Sequence, residues 1–199
     1  MLWEMTMRNA ALALLAFCLG WIPLAGAADL DRPLILVAKP ELQDKLYGSS
    51  VLVVAPVGGG QHAGFIVNRP TRVTLGSLFP EHGPSQKIVD PVYLGGPIQS
   101  QVVFALVQRR DNPGGSSFEM MPGLFAAFDA EVVDRIIESD PTRARFVAGL
   151  VAWRAGELKD EIKQGAWYVL EPDAALFMRN PDGLWEELVR RSVRLGNTI

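Results

Sequence analysis

Residues 48–71, GSSVLVVAPVGGGQHAGFIVNRPT, decide how the rest of the chain is interpreted. Two apolar runs flank the triplet Gly58-Gly59-Gly60, and Asn68-Arg69-Pro70 follows the second run. A short apolar run bounded by turn residues is typical of a buried strand. The stretch therefore predicts two neighbouring strands of a central sheet, joined by a glycine turn.

The glycine triplet lacks the other parts of a phosphate-binding loop. Such a loop has Lys and Ser or Thr after its last glycine and opens a helix. In this chain Gln61 and His62 follow the triplet, and a strand pattern follows them. We therefore interpret the triplet as a hairpin turn.

The rest of the chain alternates short apolar runs with amphipathic segments. Strands are predicted at 34–38, 50–55, 63–67, 91–94, 102–108, 118–121, 145–153 and 166–170, and helices at 74–79, 129–140, 157–164, 173–177 and from 182. The loop 109–117 is predicted to join its two flanking strands as a hairpin. Because strands outnumber helices and short turns connect many of them, we expect an α+β fold with mainly antiparallel pairing. No internal repeat or long linker interrupts 28–199, which predicts a single domain.

The first 27 residues have the layout of a secretory signal peptide. Residues 10–25 are mostly apolar or small, and Ala25-Gly26-Ala27 is a small-x-small cleavage site. This apolar core is shorter than the roughly 20 residues that a membrane-spanning helix needs, so no stable membrane span is predicted. We expect cleavage after Ala27 and export to the periplasm, with a cytoplasmic location as the alternative if the signal is not used.

The composition argues against several kinds of site. The net charge of −3 gives no basic surplus that would attract nucleic acid. Cys18 is the single cysteine and lies inside the proposed signal, so the mature chain has no thiolate ligand or cysteine nucleophile. A zinc site needs three or four ligands, and His62 and His82 are the two histidines. We therefore predict no metal and no cofactor.

Four segments in order carry the motifs of one protein family: LVAKP at 36–40, AGFIVNRP at 63–70, VYLGGPI at 92–98 and WRAGEL at 153–158. With these motifs the chain resembles the YqgE/AlgH family of bacterial proteins over roughly 34–191. The resemblance implies an α+β fold whose bifurcated, largely antiparallel sheet closes into a pseudo-barrel flanked by helices. It also implies an association with transcriptional regulation of exopolysaccharide genes, which an exported member does not perform directly. Glu157 stands where the family usually has Gln, and Ala152 where it usually has Gly.

The end of the second predicted strand is a candidate anchor for a small anionic ligand. Arg69 presents a planar fork that suits a carboxylate or phosphate, while Asn68 can bond nearby backbone groups. The alternative is a structural role, in which Asn68 locks the strand end and Arg69 pairs with an acid such as Glu157 or Glu161. Gly95 and Gly96 predict a tight bend, which can also line a pocket.

A second cluster joins Trp153 to two glutamates. Glu157 and Glu161 are four residues apart on a predicted helix and share one face of it. Two neighbouring carboxylates can share a proton and act as an acid and a base. The alternative is one solvated and one salt-bridged glutamate beside a core tryptophan.

The leading prediction is a non-catalytic module of the cell envelope that binds a small anionic ligand or a protein partner. One alternative is a cytoplasmic regulator of exopolysaccharide-type gene transcription. Another is a hydrolase that uses the glutamate pair. The candidate ligand-binding residues are Asn68, Arg69, Gly95, Gly96, Trp153 and Glu157.

Overall fold

The computed structural model describes residues 29–196, and the proposed signal peptide, residues 1–27, lies outside the described residues. The strands are β1 (Leu34–Ala38), β2 (Val51–Gly58), β3 (Gln61–Ile66), β4 (Pro70–Thr74), β5 (Pro91–Leu94), β6 (Ile98–Gln108), β7 (Ser117–Met121), β8 (Leu124–Ala127), β9 (Ala144–Trp153) and β10 (Trp167–Leu170). The helices are α1 (Leu75–Leu78), α2 (Ala130–Ser139), α3 (Glu157–Lys163) and α4 (Leu184–Gly196).

The sheet divides at β9, which pairs with three other strands, β3, β5 and β6. The main order is β10-β1-β2-β3-β9-β6-β8-β7, and every pair in it is antiparallel. On one edge β9 pairs with β6. On its other edge the C-terminal end of β9 pairs with β3, and the part near Val147 pairs in parallel with β5. Strand β4 then pairs with the free edge of β5. This arrangement confirms the predicted α+β fold with a bifurcated, largely antiparallel sheet.

Strand β2 is covered on both faces, as its uninterrupted apolar run predicts. Val51 and Val53 face the inner core of the curled sheet, which also contains Phe65 and residues of α4. Leu52 and Val54 face the opposite side, where α3 and Trp153 cover the sheet. A third cluster packs the apolar face of α2 against β6, β8 and β9.

The predicted hairpin between 102–108 and 118–121 is wrong, because β8 lies between these strands. Leu124–Ala127 pairs with the C-terminal half of β6 on one side and with β7 on the other. All four residues of β8 are buried, so the segment lacks the alternation that marks a half-exposed strand. The tight turn at Pro122-Gly123 makes the hairpin instead, between β7 and β8.

Strand β4 was also not predicted. Pro70, which was expected only to end the preceding strand, is the first residue of β4. A proline is tolerated at the first position of a strand because its missing N–H is not needed there. Among residues 29–196, no helix is long and apolar enough to cross a membrane.

Candidate functional site

Asn68 fixes the end of β3 to the start of β2. Its Oδ1 accepts the N–H of Val51 at 2.9 Å, and its Nδ2 donates to the carbonyl of Ser49 at 2.9 Å. The short amide thus supplies a donor and an acceptor to a neighbouring strand, as Asn does at many chain turns. Asn68 therefore has the predicted locking role at the end of the strand.

Arg69 reaches across to the loop that precedes β2. Its Nη1 donates to the carbonyl of Lys45 at 3.2 Å, and its Nη2 donates to the carbonyl of Gly48. The alternative partners considered from the sequence, Glu157 and Glu161, make their bonds elsewhere. The guanidinium is half-buried and is held by carbonyl oxygens, which carry no formal charge.

These two residues line a shallow depression of about 490 Å³. Its lining residues are Ser49, Asn68, Arg69, Pro70, Thr71 and Leu94. Ser49 has a φ of 58°, a left-handed conformation that is unfavourable for a residue with a side chain, and its side chain is exposed. Strained residues of this kind cluster at ligand sites because the surrounding structure must hold them in place.

The charge of Arg69 affects the titration of one nearby acid, Asp44. The N–H groups of Tyr47 and Leu46 lower the pKa of Asp44 most, and the charge of Arg69 lowers it further. Both N–H groups bond Asp44 Oδ1 at 2.7 Å. The carboxylate of Asp44 therefore stabilises the turn that contains Lys45 and Gly48, whose carbonyls accept from Arg69.

Gly95 and Gly96 lie beneath this region and pack against β9. A Cβ on Gly95 would lie 2.2 Å from the carbonyl oxygen of Gly149, and one on Gly96 would lie 2.2 Å from the carbonyl group of Leu150. Both glycines are buried. They permit two backbones to approach closely, and the adjacent Leu94 is the residue that lines the depression.

Trp153 belongs to a separate cluster on the α3 side of the sheet. Glu161 Oε2 accepts from Trp153 Nε1 at 3.0 Å and from Trp167 Nε1 at 2.8 Å. Both tryptophans are 4% exposed. One carboxylate oxygen thus satisfies two buried indole donors, which ties α3 to β9 and β10.

Glu157 lines a second depression, of about 450 Å³, at the start of α3. Its Oε2 accepts the N–H of Arg154 at 2.8 Å, which closes the turn into the helix. The other lining residues are Arg154, Ala155, Asp160, Glu161 and Gln164.

The structure does not bring the six predicted site residues together. Trp153 is opposite His62 at the start of β3, whereas Asn68 and Arg69 follow the end of β3. Asn68 and Arg69 share one depression, and Gly95 and Gly96 shape the chain beneath it. Trp153 and Glu157 lie with α3 at the other end of the strand.

Arg145 was missed by the sequence reasoning, although it supports the Asn68 region. It is 9% exposed and donates to the carbonyls of Val67 at 2.8 Å and Arg179 at 3.1 Å. Its guanidinium lies 4.1 Å from the ring centre of Tyr93. Burial lowers the pKa of Arg145. The sequence does indicate that Arg145 is unusual, because it is the one charged residue in the otherwise apolar strand β9.

The two histidines make bonds within the protein. His62 is 6% exposed, and its Nε2 bonds the carbonyl of Leu30 at 2.8 Å, which makes Nε2 the protonated nitrogen. Its Nδ1 is buried and has no hydrogen-bond partner among residues 29–196. His82 Nδ1 lies 2.7 Å from Ser85 Oγ. Within the described residues no group of three or more His, Cys, Asp or Glu side chains is placed to hold a metal ion.

Comparison with known proteins gives matches over most of the chain. The model of a protein family described as AlgH-like matches residues 35–194. A UPF0301 protein of Thermobifida fusca is 31% identical over 167 residues, which cover 79% of this chain and 84% of the relative. A UPF0301 protein of Streptomyces coelicolor is 30% identical over 167 residues, with 79% and 84% covered.

Two solved structures share the fold. The solution structure of the AlgH protein from Pseudomonas aeruginosa has a TM-score of 0.68 at 23% identity, and the match covers 85% of this chain and 90% of that one. A crystal structure of a Corynebacterium diphtheriae protein has a TM-score of 0.65 at 21% identity, with 79% and 85% covered. At these identities the likeness supports the fold alone.

Proposed function

The chain belongs to the AlgH-like family, and within that family we propose that it is a non-catalytic binding protein of the cell envelope that holds a small anionic ligand at Arg69. The match confirms the family predicted from the four sequence motifs. The proposal concerns the ligand and the cellular location, which the family's membership leaves open.

The charge of Arg69 carries the proposal. Its hydrogen bonds go to two backbone carbonyls, and within residues 29–196 no carboxylate oxygen lies within ion-pair distance of its guanidinium. Carbonyl oxygens orient a guanidinium without neutralising it, and a planar guanidinium can bind a carboxylate or phosphate through two parallel hydrogen bonds. The depression next to Arg69 and the exposed hydroxyl of Ser49 offer space and a further polar group to such an anion.

The contacts of the two glutamates favour binding over hydrolysis. Glu161 satisfies two buried indoles, and Glu157 closes the first turn of α3. A general acid or base must reach the proton that it transfers, and these bonds direct one oxygen of each carboxylate toward the protein itself.

Binding can be tested by titration calorimetry of the purified protein with inorganic phosphate, acetate and succinate. We expect at least one of these anions to bind, and Arg69→Gln to weaken that binding by about tenfold or more, because a bidentate charged contact is lost. Arg72→Gln is the matched control, since Arg72 is exposed on the neighbouring strand and its removal changes the local charge equally.

A structural loss must be distinguished from a lost ligand contact. Asn68→Ala removes the bonds of Asn68 to Val51 and Ser49 but leaves Arg69 with its charge and its own bonds to Lys45 and Gly48, so it serves as a comparison for structural cost alone. If Arg69→Gln and Asn68→Ala weaken anion binding equally, or if none of the three anions binds, Arg69 is not a ligand anchor.

The envelope location can be tested by intact mass and cell fractionation. We expect the accumulated protein to begin at Ala28 and to be released with the periplasmic contents, because residues 1–27 have the layout of a cleaved export signal. A mass that includes residues 1–27, in a protein recovered from the cytoplasm, contradicts this location.

A further inference from the structure

The first half of β6 protrudes from the sheet. Ile98 pairs with Leu150 and Val103 pairs with Ala148, so four residues of β6 stand opposite the single residue Gly149 of β9. A bulge of this kind displaces the longer strand from its neighbour. All five residues of 98–102 are exposed, whereas Phe104 to Val107 are buried.

The other edge of this half-strand is open. Strand β8 pairs with β6 from Ala105 to Gln108, and among residues 29–196 no strand pairs with 98–103 on that side. An open edge presents unpaired N–H and C=O groups to any strand of suitable sequence. The backbone of 98–102 is therefore available for pairing.

Two other edge strands of the sheet carry residues that normally prevent such pairing. Strand β4 has Pro70 and Arg72, and the edge strand β7 has Glu119. Charges and prolines on an edge disfavour contact with another chain. The sequence of 98–102, Ile-Gln-Ser-Gln-Val, has neither.

The apolar side chains around the open edge are unusually exposed. Ile98 is 43% exposed, Val102 is 36% exposed and Phe128, which continues the line of β8, is 46% exposed. The Phe128 ring lies 6.0 Å from that of the buried Phe104. The edge thus has an apolar border that connects to the inner core.

The order of the five residues is nearly symmetrical about Ser100. When two copies of Ile-Gln-Ser-Gln-Val are set antiparallel with Ser100 opposite itself, Gln99 faces Gln101 and Ile98 faces Val102. Amides then meet amides and apolar side chains meet apolar side chains, with no like charges opposed. Such self-complementarity is what a two-fold symmetric contact requires.

We propose that residues 98–102 pair antiparallel with the same residues of a second copy of this chain, with the two-fold axis at Ser100. Gln99 has a φ of 53°, which is unfavourable for a residue with a side chain. Pairing allows Gln99 to take the extended conformation of the residues that follow it. The dimer joins the two sheets across their β6 strands.

Disulfide trapping tests the axis directly. Ser100→Cys, made in a Cys18→Ser background, places two thiols opposite each other at a separation that a disulfide can span. We expect most of this variant to form a covalent dimer under mild oxidation at micromolar concentration. Ser139→Cys, at an exposed position at the end of α2, is the matched control. It is expected to form at least tenfold less covalent dimer under the same conditions.

Charge substitutions at Ser100 provide an independent measurement by sedimentation velocity. We expect the parent protein to dimerise with rising concentration, and Ser100→Lys and Ser100→Glu each to weaken dimerisation about tenfold, because like charges then meet at the axis. Mixing the two variants is expected to restore the dimer. Circular dichroism and thermal unfolding check that both variants remain folded.

Three results would overturn the proposal. One is a parent protein that stays monomeric at several hundred micromolar. Another is equal trapping of the two cysteine variants. The third is a dimer that neither charge at Ser100 weakens, which would place the contact elsewhere on the surface.

Discussion

Asn68 shows how much one side chain contributes at the end of a strand. Asn68→Ala removes two hydrogen bonds and leaves the N–H of Val51, a fully buried residue, without its partner. We expect the free energy of unfolding to fall by about 1–3 kcal/mol, the usual cost of an unsatisfied buried donor, as measured by urea denaturation. Asn68→Asp keeps an acceptor for the N–H of Val51, so its free energy of unfolding is expected to fall by less than that of Asn68→Ala.

The matched control for Asn68 is Asn180, an exposed asparagine whose Oδ1 accepts the N–H of Asp182. Asn180→Ala is expected to change stability by less than about 0.5 kcal/mol, because water can replace its bond. Equal losses in Asn68→Ala and Asn180→Ala would contradict a special role for Asn68.

Glu161 holds two buried indole groups with one oxygen. Glu161→Leu leaves Trp153 Nε1 and Trp167 Nε1 without their acceptor. We expect a loss of about 2–4 kcal/mol, since each buried donor left unsatisfied costs about 1–3 kcal/mol, with a change in tryptophan fluorescence. Glu161→Gln keeps an acceptor and is expected to lose less than Glu161→Leu.

Glu157→Leu serves as the control for Glu161. Glu157 is exposed and accepts one backbone N–H, so its replacement is expected to cost about 1 kcal/mol and to leave the tryptophan signal unchanged. A fluorescence change of the same size in both variants would show that the indole bonds are not the cause.

At the scale of elements, the contact between β5 and β9 depends on a missing side chain. Gly95→Ala puts a methyl group 2.2 Å from the carbonyl oxygen of Gly149, a backbone atom that cannot rotate away as a side chain could. We expect a loss of about 3 kcal/mol or more, the upper range for overpacking. Gly83→Ala is the control, because a Cβ at Gly83 meets nothing within 4 Å. Similar unfolding midpoints for the two variants would contradict the close approach.

Most elements could be predicted from the sequence because each has a local signature. The buried strand β2 has an unbroken apolar run, and α2 has Asp129 before its apolar face, where the carboxylate caps the N–H of Glu131. Strand β8 could not be predicted, since it is short and all four of its residues are buried, which leaves no alternating pattern. One face packs on α2 and the other on the inner core. Strand β4 could not be predicted, because a proline such as Pro70 is compatible both with the end of one strand and with the first position of the next.

The candidate site could be predicted only in part, for the same reason. Asn68 and Arg69 act together because they are neighbours in the chain. Whether Trp153 lies beside them depends on the antiparallel register of β3 and β9, which places His62 opposite Trp153 and Asn68 at the far end. Register depends on the hydrophobic patterns and connections of both paired strands, so the residues of one motif do not determine it.

At the scale of the whole molecule, surface ion pairs contribute to the way in which stability responds to acid. Hydrogen bonds from Arg32 lower the pKa of Glu171, and those from Arg179 lower the pKa of Glu187. A carboxylate with a lowered pKa in the folded state stabilises the protein fully above its ordinary pKa, here 4.5. This contribution is lost as the pH falls through the lowered value. We therefore expect the melting temperature to fall as the pH decreases below about 4.5.

The contribution of these pairs can be isolated with Glu171→Gln. Its melting temperature is expected to be lower than that of the parent at pH 7, and the difference should shrink as the pH approaches 3. Added salt should reduce the difference at pH 7, because both partners are exposed. Glu138→Gln, at an exposed position of α2, is the control. A difference that is constant with pH would contradict the assignment.

Strand β9 joins β3, β5 and β6, yet it comes after all of them in the chain. During synthesis these three strands are therefore made before residues 144–153, the strand with which all of them pair. Contacts between distant parts of a chain form slowly, because the intervening loop must close first. The part of the sheet that contains β3 and the part that contains β6 can therefore be joined only after this late strand has been made.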